Sequence, residues 1–182
     1  ESLKFLKSRF LEEKLENIHL VQDDLKEFKF KNIADFAILN GAIKLITQKF
    51  KKSKEFQVSF LRKIYESLNL EGQLLIGIDN KFSYKHLIEK SSSSTFSFSE
   101  LNSLLKKAGF LKIEEYCCFP SYHYPSIIVP NSKNGIKEYE TYEDKNIITL
   151  KQKLMFRYFE IFLMKYLKAK NFCPGIIVVA KK

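Results

Sequence analysis

Tryptophan is absent from this 182-residue chain, glycine and proline are scarce at six and four, and cysteine occurs three times. The missing tryptophan, beside abundant Lys, Ile, Asn and Phe, fits a biased genome composition as well as selection on this protein, and it excludes no function. The six glycines are dispersed and form no glycine-rich turn. Cys117, Cys118 and Cys173 lack metal-ligand spacing. Neighbouring residues on a strand point to opposite faces, which argues against an internal staple, so no metal is expected and a reducing cytoplasm is the expected compartment. No run reaches the roughly 18 uninterrupted apolar residues of a membrane-spanning helix, and no basic-then-apolar pattern opens the sequence. There is no internal repeat. The only low-complexity stretch, 91–95, is too short for an interdomain linker and is expected to be a mobile loop over a sheet edge. Acidic residues are the minority, 21 against 31 Lys and Arg, a formal charge of +10. Such a surface attracts anions, but the lysines are scattered and cluster only over 49–54, which fits a solvated face better than a nucleic-acid site.

What is present is a globular composition: 45% hydrophobic residues and 14% aromatic, enough for one domain with a sizeable core. Leu3, Phe5, Leu6, Phe10, Leu11 and Leu15 recur at helical spacing. A short strand is expected over 18–21, and a second over 36–39 that no polar residue interrupts, so that it is expected to be buried on both faces. Two helical stretches lie between Gly41 and Asn69, the second stopped by Gly72, and an apolar strand follows over 74–78. Strand, helix and strand at this spacing predict a crossover between parallel strands. Ser97 or Ser99 can cap a helix that Gly109 ends. Strands are expected over 112–119 and 175–180, the latter apolar enough for the sheet interior. A long helix over 147–167 carries Leu, Phe, Tyr and Met around much of its circumference. Its readings are packing as core or cap, an oligomer interface, or a membrane-surface helix.

Three apolar runs end in hydrogen-bonding residues: the first in Asp23 and Asp24, the second in Asn40 and Gly41, the third in Asp79 and Asn80. In open parallel sheets the carboxyl ends of strands converge on a ligand-binding crevice.

The order of these segments resembles the middle and C-terminal part of a class I S-adenosylmethionine-dependent methyltransferase. The resemblance covers residues 1–130, and the final strand rejoins it at Gly175. Asp23, Asp24 and Leu25 stand where that family holds adenine, Asp24 aligning best with the acid. Asp35, Phe36 and the run to Asn40 and Gly41 stand beside the methionine moiety, and Leu70, Glu71 and Gly72 match the entry to the next strand. Phe98, Ser99, Glu100 and Leu101, with Lys107, Ala108, Gly109 and Phe110, are similar to the family's helix before its last hairpin and form the most specific match. The segments from Ile78 to Phe82 and from Phe119 to Pro125 resemble a subset found beside glycosyltransferases in surface-polysaccharide synthesis, which implies a sugar-linked substrate.

The resemblance implies an α/β fold: a three-layer Rossmann-like sheet lacking its first strands, with a C-terminal antiparallel hairpin. It implies a single partial domain over 1–182, with 131–170 a helical insertion or cap. The family's first strand and glycine-rich turn would lie upstream of Glu1, so the chain is expected to be a fragment, either a truncated product or one part of a longer protein. The implied cofactor is S-adenosylmethionine, and the implied substrate is a small molecule or glycan precursor. RNA methylation, or a non-catalytic partner subunit with a degenerate methyltransferase fold, are the alternatives.

Methyl transfer from a sulfonium is an in-line displacement that requires no acid on the leaving group, so positioning carries much of the catalysis. A hydroxyl or amine acceptor still calls for a base. Asp79, His86 and His123 are the candidates. Each has a structural reading too: Asp79 with Asn80 as a turn pair, His86 as a surface histidine, His123 as a packed ring between Tyr122 and Tyr124. Asp23 and Asp24 can equally be a turn or helix-entry pair. Cys117 and Cys118 read as buried strand residues before nucleophiles.

Overall fold

The computed structural model describes residues 2–15, 17–21, 30–49, 53–83, 96–141 and 172–182. Asp23, Asp24, Leu25, His86, the serine stretch over 91–95 and the helix expected over 147–167 lie outside the described residues.

The elements are α1 (Ser2–Glu12), β1 (Ala34–Asn40), α2 (Ala42–Lys49), α3 (Lys54–Ser67), β2 (Leu68–Asp79), α4 (Phe98–Ala108), β3 (Lys112–Phe119), β4 (Ile127–Pro130), α5 (Lys133–Thr141) and β5 (Gly175–Lys181). One five-stranded mixed sheet runs in the order β1-β2-β5-β3-β4. β1 and β2 are parallel, as the crossover spacing predicts. β5 is antiparallel to both its neighbours, β2 and β3, and the short hairpin β3–β4 closes the sheet.

Local chemistry sets the helix ends. Ser53 caps α3, its hydroxyl accepting from the Phe56 amide at 3.3 Å. Ser97, not Ser99, caps α4 in a full capping box: its hydroxyl accepts from the Glu100 amide while the Glu100 carboxylate accepts from the Ser97 amide. Gly109 ends that helix at φ 119°, a left-handed cap that a side chain would disfavour. The end of α3 differs from expectation. It stops at Ser67 and β2 starts at once with Leu68, so Gly72 lies inside the strand; the left-handed turn is taken by Glu71, at φ 67°.

The sheet has one sealed face. Leu74, Ile76 and Ile78 of β2 pair with Ala180, Val178 and Ile176 of β5, and all six are fully buried. Leu39, Phe60, Leu61, Leu101, Leu105 and Phe110 complete this core, with α3 and α4 packed against each other. Burying side chains of this size stabilises by about 1.5–3 kcal/mol each.

The opposite face differs at β1. Phe36 and Ile38, which share that face, are 71% and 68% exposed. The segment over 36–39 is therefore buried on one side only, because no element among the described residues covers the other. The strand expected over 18–21 is also absent: these residues are exposed and pair with nothing in the sheet, since no strand among the described residues flanks the outer edge of β1. The apolar residues Phe5 and Leu11 of α1 are likewise exposed. Among the described residues no helix is long and apolar enough to cross a membrane.

Candidate functional site

The topology brings four chain segments to one edge. β1 and β2 end there at Asn40 and Asp79, β3 ends there at Phe119, and antiparallel β5 starts there at Gly175, paired with Asp79 on one side and Cys118 on the other. The Gly41 amide donates to the Gly77 carbonyl at 2.8 Å and carries the β1–β2 ladder one residue past the strand. Of the residues the sequence singles out, Asn40, Gly41 and Asp79 meet at this edge, and His123 lies on the β3–β4 loop.

That loop, 120–126, follows a cis Phe119–Pro120 bond and is closed by the Ser126 amide donating to the Phe119 carbonyl at 2.8 Å. It turns Tyr122 inward, only 5% exposed, and leaves Tyr124 86% exposed. Tyr122 lies against three of the chain's six glycines. A Cβ on Gly41 would stand 3.0 Å from its hydroxyl, one on Gly77 3.1 Å from its Cδ2, and one on Gly175 2.7 Å from its amide nitrogen. Half of a scarce residue type gathered against one tyrosine marks a built contact. The Asn40 Oδ1 lies over Gly77 as well, 2.7 Å from the same Cβ position.

His123 is exposed, its imidazole packed at a 34° tilt against the Tyr122 ring with centroids 3.9 Å apart, and its amide donates to the Ser121 hydroxyl at 3.0 Å. Lys44, in the first turn of α2, reaches Asp79 at 3.6 Å. Burial, and after it the Asp79 charge, pushes the Tyr122 phenol above its ordinary pKa, so it remains a proton donor at neutral pH.

Asn80 has a different part from Asp79. Fully buried, it donates to the Cys173 carbonyl at 2.7 Å and accepts from the Phe82 amide at 3.1 Å, which fixes the turn after β2. Cys117, Cys118 and Cys173 are buried free thiols; burial pushes Cys118 up to about 12 and Cys173 upward as well, so these last two are poor nucleophiles.

Two members of the edge, Tyr122 and Lys44, were not read from the sequence. The Pro-bounded run Ser121, Tyr122, His123, Tyr124 signals a rigid aromatic loop, but which ring turns inward depends on glycines from three separate segments, the end of β1, β2 and β5.

No protein-family model matches the sequence, and no curated protein does. Solved structures do. The chain is similar to a SAM-dependent methyltransferase from Thermotoga maritima (17% identity, 91% of this chain and 64% of that one, TM-score 0.52). It is similar to the S-adenosylmethionine-dependent methyltransferase SibL in its apo form (12% identity, 99% and 40%, TM-score 0.59). A third is phosphoethanolamine N-methyltransferase 2 of Haemonchus contortus, in complex with phosphomonomethylethanolamine and S-adenosylhomocysteine (16% identity, 96% and 39%, TM-score 0.53). The fold is that of the class I S-adenosylmethionine-dependent methyltransferases. The chain spans less than two thirds of the length of each of these three proteins.

Proposed function

We propose that the protein to which this chain belongs transfers a methyl group from S-adenosylmethionine to a small molecule or glycan precursor in the cytoplasm. The observation that carries the reading is the convergence of Asn40, Gly41, Asp79 and Tyr122 at the carboxyl edge of parallel strands in a methyltransferase fold. Ligands of open α/β sheets bind at that edge. The residues present fit one side of the cofactor. Gly41 makes room at the strand end for the Tyr122 hydroxyl, and the Asn40 amide lies over the neighbouring Gly77. Asn40 and Gly41 would lie along the methionine moiety, with Asp23, Asp24 and Leu25 at the adenine. The cofactor supplies an activated methyl on a leaving group that needs no protonation. The chain's part is then to hold the acceptor in line and, for a hydroxyl or amine acceptor, to receive its proton. Asp79, paired with Lys44, would take that role, or else His123, whose ring lies against that of Tyr122. A sugar-linked substrate of the kind used in surface-polysaccharide synthesis is supported by the sequence of 119–125 alone. RNA is the less favoured acceptor, since Lys44 is engaged by Asp79.

Calorimetric titration of S-adenosylhomocysteine into the chain tests the reading, with Asn40→Ala and Asp24→Ala as controls. Saturable binding weakened by both substitutions is expected. Binding indifferent to both overturns the site, and no binding overturns cofactor use by this chain.

A second reading, a non-catalytic partner subunit, is favoured by the exposed Phe36 and Ile38 face and by the outer edge of β1, which no strand among the described residues pairs, a surface that another polypeptide would cover. Self-association through the 147–167 helix belongs to the same reading.

A further inference from the structure

Between α3 and α4 lies a groove of about 360 Å³ that shares no residue with the crevice edge. Its floor is apolar: Leu104 of α4, 6% exposed, and the half-buried Val58 of α3. Its rim is cationic. Lys54, Arg62 and Lys107 line it, with the Ser59 hydroxyl on the same stripe of α3 as Arg62. Arg62 is anchored across the two helices, its Nη2 donating to the Lys107 carbonyl at 3.1 Å, and a guanidinium fixed by one N–H still has four others to offer. Among the described residues, none of these three cations forms an ion pair. Glu55 is the one acid in the lining, and it accepts from the Ser53 hydroxyl at 2.9 Å. A backbone hydrogen bond and that hydroxyl, ahead of the charges of Lys107 and Lys54, hold its carboxyl below the ordinary range. Three cations against one carboxylate leave the groove with a net charge of +2. A phosphomonoester carries about −1.5 to −2 near neutral pH, and a planar guanidinium matches the spacing of its oxygens where a lysine supplies only a point charge. A merely solvated cationic face has no need of an apolar floor; a ligand with an anionic head and an apolar body uses both.

We infer that this groove is a second binding site, for a small phosphomonoester with an apolar body. The phosphate is held by Arg62, Lys54 and Lys107, and the body rests on Val58 and Leu104. The site is independent of the crevice and of the reaction proposed there.

The test follows the Val58, Ser59, Leu104 and Lys107 amide resonances of the ¹⁵N-labelled chain during titration with three probes at fixed pH and ionic strength. Phenyl phosphate has both head and body, benzoate keeps the ring with a single charge, and inorganic phosphate keeps the charge without the ring. Phenyl phosphate is expected to shift the four amides saturably and to bind roughly ten-fold more tightly than either of the others. Arg62→Gln and Lys107→Gln each remove one charged donor and should weaken phenyl phosphate roughly ten-fold. Lys106→Gln is the control. It removes the same charge from the neighbouring groove between α4 and β3, of which Lys106 is a lining residue and Arg62 is not, and should leave the affinity within about two-fold, because exposed charges off the site are screened. Arg62, Lys106 and Lys107 are all exposed, so the variants should retain the parent's spectrum elsewhere. Unmoved groove amides, shifts confined to Asn40 and Gly41 at the crevice, or benzoate or inorganic phosphate binding as tightly as phenyl phosphate would each overturn the inference. So would a loss in Lys106→Gln equal to that in Arg62→Gln and Lys107→Gln, which would make the attraction one of net charge alone.

Discussion

Gly175→Ala is the sharpest perturbation of the site that leaves every polar group in place. The new methyl would stand 2.7 Å from the Tyr122 amide nitrogen, 3.1 Å from its Cβ and 3.3 Å from the Ser121 carbonyl carbon. Two of these three obstacles are backbone, so no rotamer change relieves them, and the 120–126 loop must move by several tenths of an ångström. Overpacking of this kind costs typically 1–3 kcal/mol. Against it stands the reduced unfolded-state entropy of alanine, about 0.4–1 kcal/mol in favour of the variant. The net expectation is a loss of about 1–2 kcal/mol, which lowers Tm by roughly 2–4 °C per kcal/mol in a chain of this size. Urea unfolding followed by circular dichroism measures it. The decisive comparison is with Tyr122→Ala. Removing the ring should not rescue Gly175→Ala, since the collision is with the backbone. The same removal should relieve Gly77→Ala, whose methyl meets the Tyr122 ring at 3.1 Å and the Asn40 side chain, which can move aside. A neutral or stabilising Gly175→Ala, or its rescue by Tyr122→Ala, would refute the placement of the loop.

Three further outcomes are expected. The Cys118 thiol ionises near 9 when unfolded and at about 12 when folded. Between those values the unfolded state binds fewer protons than the folded, so stability is fully present below pH 9 and is lost as pH rises, by up to roughly 4 kcal/mol at 1.36 kcal/mol per unit. Urea midpoints at pH 8, 10 and 11 should fall less steeply for Cys118→Ala than for the parent chain, and parallel profiles would contradict the burial argument. Asn80→Ala strands the Cys173 carbonyl and the Phe82 amide and should cost about 2–4 kcal/mol by chemical denaturation; a loss below 1 kcal/mol would show that water replaces the side chain. Phe36→Lys combined with Ile38→Lys should change stability by less than about 1 kcal/mol, because both side chains are already exposed, while sedimentation velocity should show less self-association than in the parent chain.

The elements that could be read from the sequence are those whose signal is local. A serine cap at Ser97 or Ser99, the Gly109 stop and the apolar runs of β2 and β5 each contain their own cause, and all three are in the structure, with Ser97 as the cap. The parallel pairing of β1 and β2 also followed from spacing alone. Expectations failed where the cause lies elsewhere in the chain. Residues 36–39 are uniformly apolar and so look buried on both sides, yet burial needs a second layer, and the described residues supply one only behind Leu39. The run over 18–21 has strand chemistry, but among the described residues it has no neighbour to pair with. At the edge, Asn40, Gly41 and Asp79 could be brought together on paper because each ends a strand. Tyr122 could not, since its position is decided by three glycines at 41, 77 and 175 that only the sheet brings side by side.

The place of β5 has a consequence for how the molecule is made. It follows β4 in chain order, at Gly175–Lys181, yet it lies between β2 and β3. Without it the described strands form only two separate two-stranded ribbons, β1–β2 and β3–β4, and isolated ribbons are marginal in water. Both halves therefore wait for a segment synthesised after them. That one segment of seven residues, running against both neighbours, joins them and closes the crevice edge in the same step.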